Sequence, residues 1–233
     1  MCFFYNNIRM YFKKLILLFL CCAALYNKAD AQSQKATFFL QTDFDQLYLN
    51  DSVKISKCAI YLTNFKFYNQ AQLVFEDTIK AHLVDLLDPN PIQFNIAANL
   101  VYNRVTFNIG VDSNTNVAGI LTGDLDPRKG MYWAWQSGYI NFKLEGILNT
   151  KVQQPFQYHV GGYAGKLKAI QTNSFEVYPN NKYTLSFNFM PMLQHCLAQK
   201  QFEIMSPQLK AVQLAKLLSE NTTCTKVQNL SNE

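Results

Sequence analysis

The chain has 233 residues, of which 16% are charged and 14% aromatic, and its formal net charge is +5. The cations are scattered and form no basic run with interleaved aromatic residues, so the composition excludes a nucleic-acid-binding surface. A chain of this length forms one domain with a sizeable core. Its 18 Phe and 13 Tyr favour strands, where flat rings fit a pleated surface.

The first 31 residues predict a secretory signal peptide. A basic start, an apolar run at residues 15–25 and a small-x-small cleavage motif ending at Ala31 follow one another in the order that export requires. The apolar run is shorter than the roughly 20 residues that span a bilayer. We expect a mature β domain of residues 32–233 that is periplasmic, secreted or at the cell surface. A lipid anchor at Cys21 or Cys22 is the alternative.

Strand patterns dominate the mature chain. β-Branched and aromatic runs, several with alternating apolar and polar residues, predict strands at residues 36–40, 55–68, 80–87, 102–109, 139–145 and 183–189. In one of these runs, Ile140, Phe142 and Leu144 are predicted to share one face. Turn-forming residues separate the runs. The fold class that follows is all-β, an antiparallel β-sandwich of about 8–10 strands with long loops.

Two segments depart from the strand pattern. Residues 110–131 are rich in Gly, Asp and Asn, and a loop of this length is usually functional or built on its own contacts. Near the C-terminus, Ser206 resembles an N-cap and Pro207 occupies the first helical position. Apolar residues then recur at helical spacing, which predicts one short helix from Pro207 to Ser219.

The cysteine count is odd once the signal peptide is removed. Cys58, Cys196 and Cys224 remain in an oxidising compartment, so one disulfide and one free thiol are the simplest arrangement. Cys196 and Cys224 are closest in sequence and form the predicted pair. Three buried thiols are the alternative.

Enzyme signatures are missing from the sequence. It contains no G-x-S-x-G, H-E-x-x-H or glycine-rich phosphate loop. The carboxylate pairs Asp85/Asp88 and Asp124/Asp126 lie near turn signals, where aspartate usually has a role in the turn. We therefore expect a non-catalytic protein.

The three histidines are the candidate metal ligands. His82 and His159 lie on predicted strands, and imidazole suits copper and zinc. A hydrogen-bonded structural role is the alternative for each. His195 lies close to two thioethers and a thiol, which together would suit Cu(I). The thioethers belong to Met190 and Met192, which alternatively end a strand and fill a core edge.

The 110–131 segment also carries candidate calcium ligands. Alternating oxygen-bearing side chains are found at Asp112, Asn114, Asn116, Asp124 and Asp126. Val117 and Gly123 stand where an EF-hand loop requires Gly and Glu, so the segment is not an EF-hand. A calcium loop of another geometry and a cluster of Asx-turns are the two remaining readings.

Both tryptophans, Trp133 and Trp135, lie in the segment 130–146, and their spacing alone indicates two core anchors beside a turn. This segment, together with residues 110–127, resembles the MbnP-like family of periplasmic copper-binding proteins. Supporting matches lie at residues 61–65, 82–85, 158–162 and 205–207. The resemblance covers nearly the whole mature chain.

The resemblance implies a secreted β-rich domain that binds copper. In the family, one tryptophan of a W-x-W or W-x-H element is oxidised to kynurenine, and that residue corresponds to Trp133. His82 and His159 lie in shared motifs and are the implied ligands, with Cu(I) favoured. Trp135 stands where MopE-type members carry a ligand histidine. The implied partners are a di-haem peroxidase-like maturation enzyme and an outer-membrane transporter.

The sequence therefore predicts a protein for copper uptake, storage or transfer. The alternative is a surface interaction or structural module without a metal, in which Trp133, Trp135 and Tyr139 only pack. Geometry separates the two readings, because the copper site requires His82 and His159 to converge on Trp133.

Overall fold

The computed structural model describes residues 33–43, 48–50, 52–136, 138–149 and 153–228. The predicted signal peptide and its cleavage site lie outside these residues. Within the described ranges, no helix is both long enough and apolar enough to cross a membrane.

The described residues form fourteen strands. They are β1 (Ser33–Thr42), β2 (Tyr48–Asn50), β3 (Val53–Asn69), β4 (Gln72–Glu76), β5 (His82–Asp85), β6 (Ile92–Ala97), β7 (Arg104–Ile109), β8 (Tyr132–Trp133), β9 (Gly138–Leu148), β10 (Gln154–Gly161), β11 (Gln171–Glu176), β12 (Lys182–Phe187), β13 (Glu203–Ile204) and β14 (Thr222–Lys226).

Three α-helices accompany the strands in this part of the chain: α1 (Ser113–Val117), α2 (Met190–Ala198) and α3 (Leu209–Glu220). Short 3₁₀ turns lie at Gly123–Leu125, Pro127–Lys129 and Gly165–Leu167. Helix α3 confirms the predicted C-terminal helix. It buries Ala211, Leu214, Ala215 and Leu218, the helically spaced residues on which the prediction rested.

The strands form two sheets. The smaller sheet has the order β14-β12-β1-β6, and the larger runs β11-β7-β3-β9-β10-β13, with four short strands attached to β3 and β9. Most pairs are antiparallel, but β1 pairs with β12 in parallel, so that Phe38 lies opposite Tyr183. The predicted all-β sandwich is confirmed.

A main core fills the space between the sheets. The smaller sheet contributes Phe38, Phe94 and Leu185, and the larger sheet contributes Phe67 and Phe107, all fully or nearly fully buried. Phe38 lies within 6.2 Å of both Phe67 and Phe94, measured between ring centroids. Alternate residues of each strand supply these rings, which is why the period-two pattern identified the strands.

Strand β3 is the spine of the larger sheet. Its 17 residues pair with β9 along the first half and with β7 along the second, and the register shifts between Thr63 and Lys66. Asn64 has a positive φ of 56° at this shift. The Thr63-Asn64 break in the sequence pattern therefore marks a β-bulge, where an extra residue bends one strand.

Strand β9 contains a second bulge, which corrects one prediction. Phe142 and Leu144 face the main core, whereas Ile140 belongs to a separate cluster on the opposite face of the larger sheet. The register of β10 shifts at this point, because Gly161 pairs with Ile140 while Val160 pairs with Phe142. The extra residue, Asn141, turns inward and accepts a hydrogen bond from the backbone N–H of Val111 at 3.1 Å.

Helix α2 corrects a second prediction. Residues 190–198 are helical and do not extend the preceding strand. Proline stands in the first turn of the helix, where its missing N–H costs nothing. The Asp43 carboxylate, at the end of β1, accepts hydrogen bonds from the backbone N–H groups of Phe189 and Met190 at 3.0 and 2.9 Å. The cap therefore comes from a residue far away in sequence.

Candidate functional site

A second hydrophobic cluster lies on the outer face of the larger sheet, away from the main core. We call it the outer cluster. Its buried members are Ala59, Tyr61, Ala81, Val111, Leu125, Met131, Trp133, Tyr139 and Ile140. Trp133 is its largest side chain and is 1% exposed. Strand β8 positions Trp133 by pairing it with Gly138 at the start of β9.

Gly161 allows the indole of Trp133 to lie close to the sheet. A Cβ on Gly161 would lie 2.8 Å from Cζ3 of Trp133 and 2.7 Å from the carbonyl oxygen of Tyr139. A Cβ on Gly138 would lie 3.2 Å from the Tyr163 ring. Residue 161 must therefore lack a side chain if Trp133 is to occupy this position.

The indole N–H of Trp133 is buried and has no hydrogen-bond partner among the residues that the structure describes. Buried polar groups are almost always paired, and an unpaired donor costs about 1–3 kcal/mol. Trp135 differs sharply, since it is 69% exposed. The two ring centroids lie 6.5 Å apart with an angle of 47° between the planes. The W-x-W element thus places one indole inside the protein and the other in solvent.

The turn-rich segment 110–131 supports the outer cluster. The Tyr61 hydroxyl donates to the carbonyl of Asp124 at 2.8 Å, and the Tyr139 hydroxyl donates to the carbonyl of Leu125 at 3.0 Å. The Asn116 side chain accepts the backbone N–H of Tyr139 at 2.8 Å. This long loop therefore acts as a frame that holds the aromatic residues next to Trp133.

Hydrogen bonds and ion pairs within the 110–131 segment engage the aspartates that were proposed as calcium ligands. Asp112 caps α1 by accepting from the N–H and hydroxyl of Thr115, and Asp126 caps the turn at Pro127–Lys129 and pairs with Arg128. Asp124 pairs with Lys129 and accepts from a backbone N–H.

Asn116 is buried within the frame, and its side-chain oxygen already accepts the backbone N–H of Tyr139. No group of three or more His, Cys, Asp or Glu residues in the described part of the chain can hold a metal ion. Asp112 and Asp126 cap helical turns, as the Asx-turn reading expects, and the calcium loop proposed from Asp112, Asn114, Asn116, Asp124 and Asp126 stays a prediction.

His159 lies on the same face of the sheet as Trp133. Its strand neighbours Tyr158 and Val160 face the main core, so His159 and Gly161 point to the outer face. His159 is two residues from Gly161, on which Trp133 lies, a spacing of roughly 7 Å along the strand. His159 is 7% exposed. The predicted association of Trp133 with His159 is thus compatible with the structure.

Glu145 holds the His159 ring. Its carboxylate oxygen Oε1 lies 2.7 Å from Nε2 of His159. Burial lowers the pKa of His159 below the ordinary histidine value, although the hydrogen bond with Glu145 acts in the opposite direction. The imidazole is therefore neutral at neutral pH, the form in which histidine binds metals. Sequence reasoning missed Glu145; the signal was its position on β9 opposite a predicted strand carrying His159.

His82 lies on the other face of the sheet, which corrects the predicted three-residue site. It pairs with Leu62 of the main core, and its ring makes edge contacts with Phe65 and Phe94. Its Nε2 lies 2.7 Å from the Asp77 carboxylate. Strands β3 and β9 separate its strand from β10, so the sheet alone puts roughly 14 Å between His82 and His159.

The second predicted copper site also fails to assemble. Helix α2 buries Met192 and Cys196 in the main core, while His195 is half-exposed and its Nε2 lies 2.8 Å from the side-chain amide of Gln199. Met190 is in the first turn, next to the helix cap. The thioether of Met192 and the thiol of Cys196 therefore lie within the main core, whereas the His195 imidazole lies beside Gln199 at the partly exposed face of the helix.

All three cysteines within the described residues are free thiols, so the predicted Cys196–Cys224 disulfide is absent from the structure. Cys196 lies on α2, and Cys224 lies on β14, opposite Leu185. Burial raises the pKa of Cys196 to about 11 and that of Cys224 to about 12. The alternative of separate thiols is the arrangement that the structure adopts.

A cleft of about 190 Å³ opens beside Trp133. It is lined by Trp133, Gln136, Gly138, Gly162, Tyr163, Ala164, Leu167 and Pro207. Gly162 has a φ of 131°, and a Cβ there would collide with the carbonyl of Leu167. Of the two glycines in the Tyr158–Gly162 motif, Gly161 thus allows the close approach of Trp133, and Gly162 allows the close approach of the Leu167 backbone.

Comparisons with known proteins were consistent with one family. The family model described as MbnP matches residues 28–223 of the chain. No curated protein matches. Among solved structures, MbnP from Methylosinus trichosporium is similar, with 12% sequence identity, a TM-score of 0.49, and coverage of 70% of this chain and 78% of that one.

Proposed function

The chain belongs to the MbnP family, and we propose that it is an exported, non-catalytic protein that binds copper on the outer face of the larger sheet. The family is associated with methanobactin and with copper. The site proposed here uses Trp133, in its native or oxidised form, together with His159. His82 and the α2 residues are not part of it.

The observation that carries the proposal is the unpaired indole N–H of Trp133. This nitrogen is fully buried and lies on the sheet face that also carries His159. Conversion of Trp133 to kynurenine would replace the indole with an aromatic amine and a carbonyl, both of which can serve as metal donors. The buried nitrogen of residue 133, which is costly to leave unpaired, would then serve as a metal donor.

The histidine has the chemistry that copper requires. His159 is neutral because burial lowers its pKa, and Glu145 fixes its ring orientation. Imidazole is a good ligand for copper, and metal-bound histidines usually carry a carboxylate or carbonyl on the other nitrogen. The surroundings of Trp133 are largely apolar, which is why Cu(I) remains the favoured state.

The proposal includes a location and two partners. The signal peptide predicted at residues 1–31 would deliver the chain to the periplasm or the cell surface. A di-haem peroxidase-like enzyme would oxidise Trp133, so this protein would be its substrate. An outer-membrane transporter is the second proposed partner, through which the bound copper would pass.

Purification from the protein's own host tests the proposal. We expect bound copper. We also expect the mass shift that marks the conversion of tryptophan to kynurenine, located on Trp133 and not on Trp135. His159→Gln should abolish copper binding. His195→Gln, a half-exposed histidine on α2, and His82→Gln, on the opposite face, should retain it. Metal-free protein with two unmodified tryptophans and no copper uptake on titration would exclude the copper function.

A surface interaction module is the second candidate function. It is favoured by the exposure of large apolar side chains near the site, namely 69% for Trp135, 70% for Ile120 and 75% for Val117. Tryptophan is enriched at protein interfaces. If the protein is an interaction module, Trp133 only packs against its neighbours. Wild-type protein, His159→Gln and His82→Gln would then all show no copper binding in titrations.

A further inference from the structure

His159 and Glu145 form a partly buried pair on neighbouring strands. On β9 and β10, His159 is directly opposite Lys143, and Glu145 is opposite Gln157, so the two side chains are diagonal neighbours on the outer face. The ring nitrogen Nε2 and the carboxylate oxygen Oε1 are 2.7 Å apart. The side chains are 8% and 27% exposed, so water has limited access to this hydrogen bond.

Several other charged groups surround the pair without replacing it. Lys143 lies beside His159, Lys57 lies opposite Glu145 on β3, and Glu203 lies beyond Gln157 on β13. Within the described part of the chain, neither Lys143 nor Lys57 forms an ion pair with Glu145, whose partner is His159. The hydrogen bond with His159 is the side-chain hydrogen bond that the structure gives Glu145.

The contact decides which ring nitrogen carries the proton. An ionised carboxylate can only accept hydrogen bonds, so Nε2 of a neutral His159 must donate its proton to Glu145. The other nitrogen, Nδ1, then holds the lone pair. Without Glu145 the ring could carry its proton on either nitrogen, and it could rotate between the two arrangements.

We infer that Glu145 is a positioning residue, which locks His159 in the Nε2-protonated tautomer and so presents Nδ1 as the nitrogen that takes a metal ion. The tautomer lock is a property of the metal-free protein. The assignment of Nδ1 to copper rests on the proposed function. Carboxylate partners of this type commonly contribute a factor of about 10–100 in metal affinity.

The experiment uses long-range ¹H–¹⁵N NMR of the metal-free mature protein at neutral pH, followed by copper titration. The chain has only three histidines, so His159→Gln identifies the signals of His159. Wild-type protein should show the Nε2-protonated tautomer of His159. Glu145→Ala should give a mixture of tautomers, and its copper affinity should fall about 10–100-fold.

Two further variants make the result specific. Glu145→Gln keeps the size of the side chain, but its amide can donate as well as accept a hydrogen bond. This variant should therefore show a mixture of tautomers, as Glu145→Ala does. Glu220→Gln removes a carboxylate that pairs with Lys216 on α3, away from His159, and it should leave tautomer and affinity unchanged. Thermal melting of each variant confirms that the fold is retained.

The outcomes separate this inference from the proposed function. An Nδ1-protonated His159 in wild-type protein, or a tautomer unchanged in Glu145→Ala, overturns the role of Glu145. The expected tautomer shift without copper uptake by any form supports the role of Glu145 and overturns the copper function. Copper binding that is equal in wild type and Glu145→Ala also overturns the positioning role.

Discussion

The backbone N–H of Leu83 donates a hydrogen bond to Oδ2 of Asp124 at 2.9 Å. Leu83 lies on β5, a short strand that pairs with β3 along one edge. The carboxylate of Asp124, in the 110–131 segment, thus accepts a hydrogen bond from the edge of β5 that faces away from β3. The loop that frames Trp133 is tied in this way to the sheet on which Trp133 lies.

Removing this carboxylate should loosen the frame. Asp124→Ala leaves the Leu83 N–H without its partner and breaks the ion pair with Lys129, so we expect a loss of about 1–2 kcal/mol in the free energy of unfolding. Chemical denaturation measures it. Lys216→Ala, which breaks an exposed pair with Glu220 on α3, should change stability by under about 0.5 kcal/mol. Equal losses in the two variants would contradict the role of Asp124.

Acid should weaken the frame before it weakens the main core. Burial opposes ionisation of Asp112 and Asp124, but their hydrogen bonds prevail and lower both pKa values, while the bond to Arg128 lowers the pKa of Asp126 to about 2. Carboxyls with lowered pKa values stabilise the fold above the ordinary aspartate pKa.

This stabilisation is lost as pH falls below the ordinary value toward the folded-state values. Asp43 acts in the opposite sense, because burial raises its pKa. We expect tryptophan fluorescence to change at a higher pH than far-UV circular dichroism during acid titration. Coincident transitions would show that the frame and the main core respond to acid as one unit.

Gly161 is the position where a single methyl group should displace Trp133. In Gly161→Ala, the new Cβ would meet a backbone oxygen and the indole at distances below 3.0 Å, so we expect a cost of about 1–3 kcal/mol and altered tryptophan fluorescence. Gly130→Asn is the control, since Gly130 has open space and a left-handed conformation that Asn tolerates. A fully stable Gly161→Ala protein with unchanged fluorescence would refute the close contact.

Thiol counting tests the arrangement of the cysteines. The mature chain, unfolded without reducing agent, should react with a thiol reagent at all three cysteines. In the native state labelling should be slow, because Cys58 and Cys196 are buried and burial raises the pKa of each thiol. A single reactive thiol in the unfolded chain would instead show a disulfide, and labelling at Cys58 would assign it to the predicted Cys196–Cys224 pair.

Trp135→His tests the role of the second W-x-W position. Because Trp135 is 69% exposed, the substitution should change stability by about 0.5 kcal/mol or less. If copper binds beside Trp133, the added imidazole should tighten binding by supplying a further nitrogen ligand. Trp135→Phe supplies no ligand and is the matched control. Equal copper affinities in the two variants would place the metal away from this turn.

Local patterns predicted six strand segments correctly, but they did not predict β6, β11 or β14 and could not assign the faces of the strands. Alternation in residues 55–68 identified β3, and even its break at Thr63-Asn64 is a real bulge. The face of His82, however, follows from its pairing with Leu62, and the face of His159 follows from a chain of pairs through Lys143 to Ala59. These pairings join distant segments, and a change of one residue in register reverses the face.

The same limit explains the two local errors. Alternation from Ile140 to Leu144 was misread because Asn141 bulges inward to meet Val111, which lies in another segment. Helix α2 was missed because its cap is Asp43, at the end of the first strand. The nearby signals for the helix were a proline one residue after Met190 and Asn188, whose side-chain oxygen also accepts the Met190 backbone N–H at 3.0 Å.

The parallel pairing of β1 with β12 constrains the order in which the molecule can be completed. Residues 37–42 belong in the middle of the smaller sheet, yet one of their neighbours, residues 182–187, is synthesised only in the last quarter of the chain. Contacts between segments so far apart form slowly. The smaller sheet therefore stays open along one edge of β1 until the end of the chain has emerged, so the last residues to be synthesised are the ones that close it.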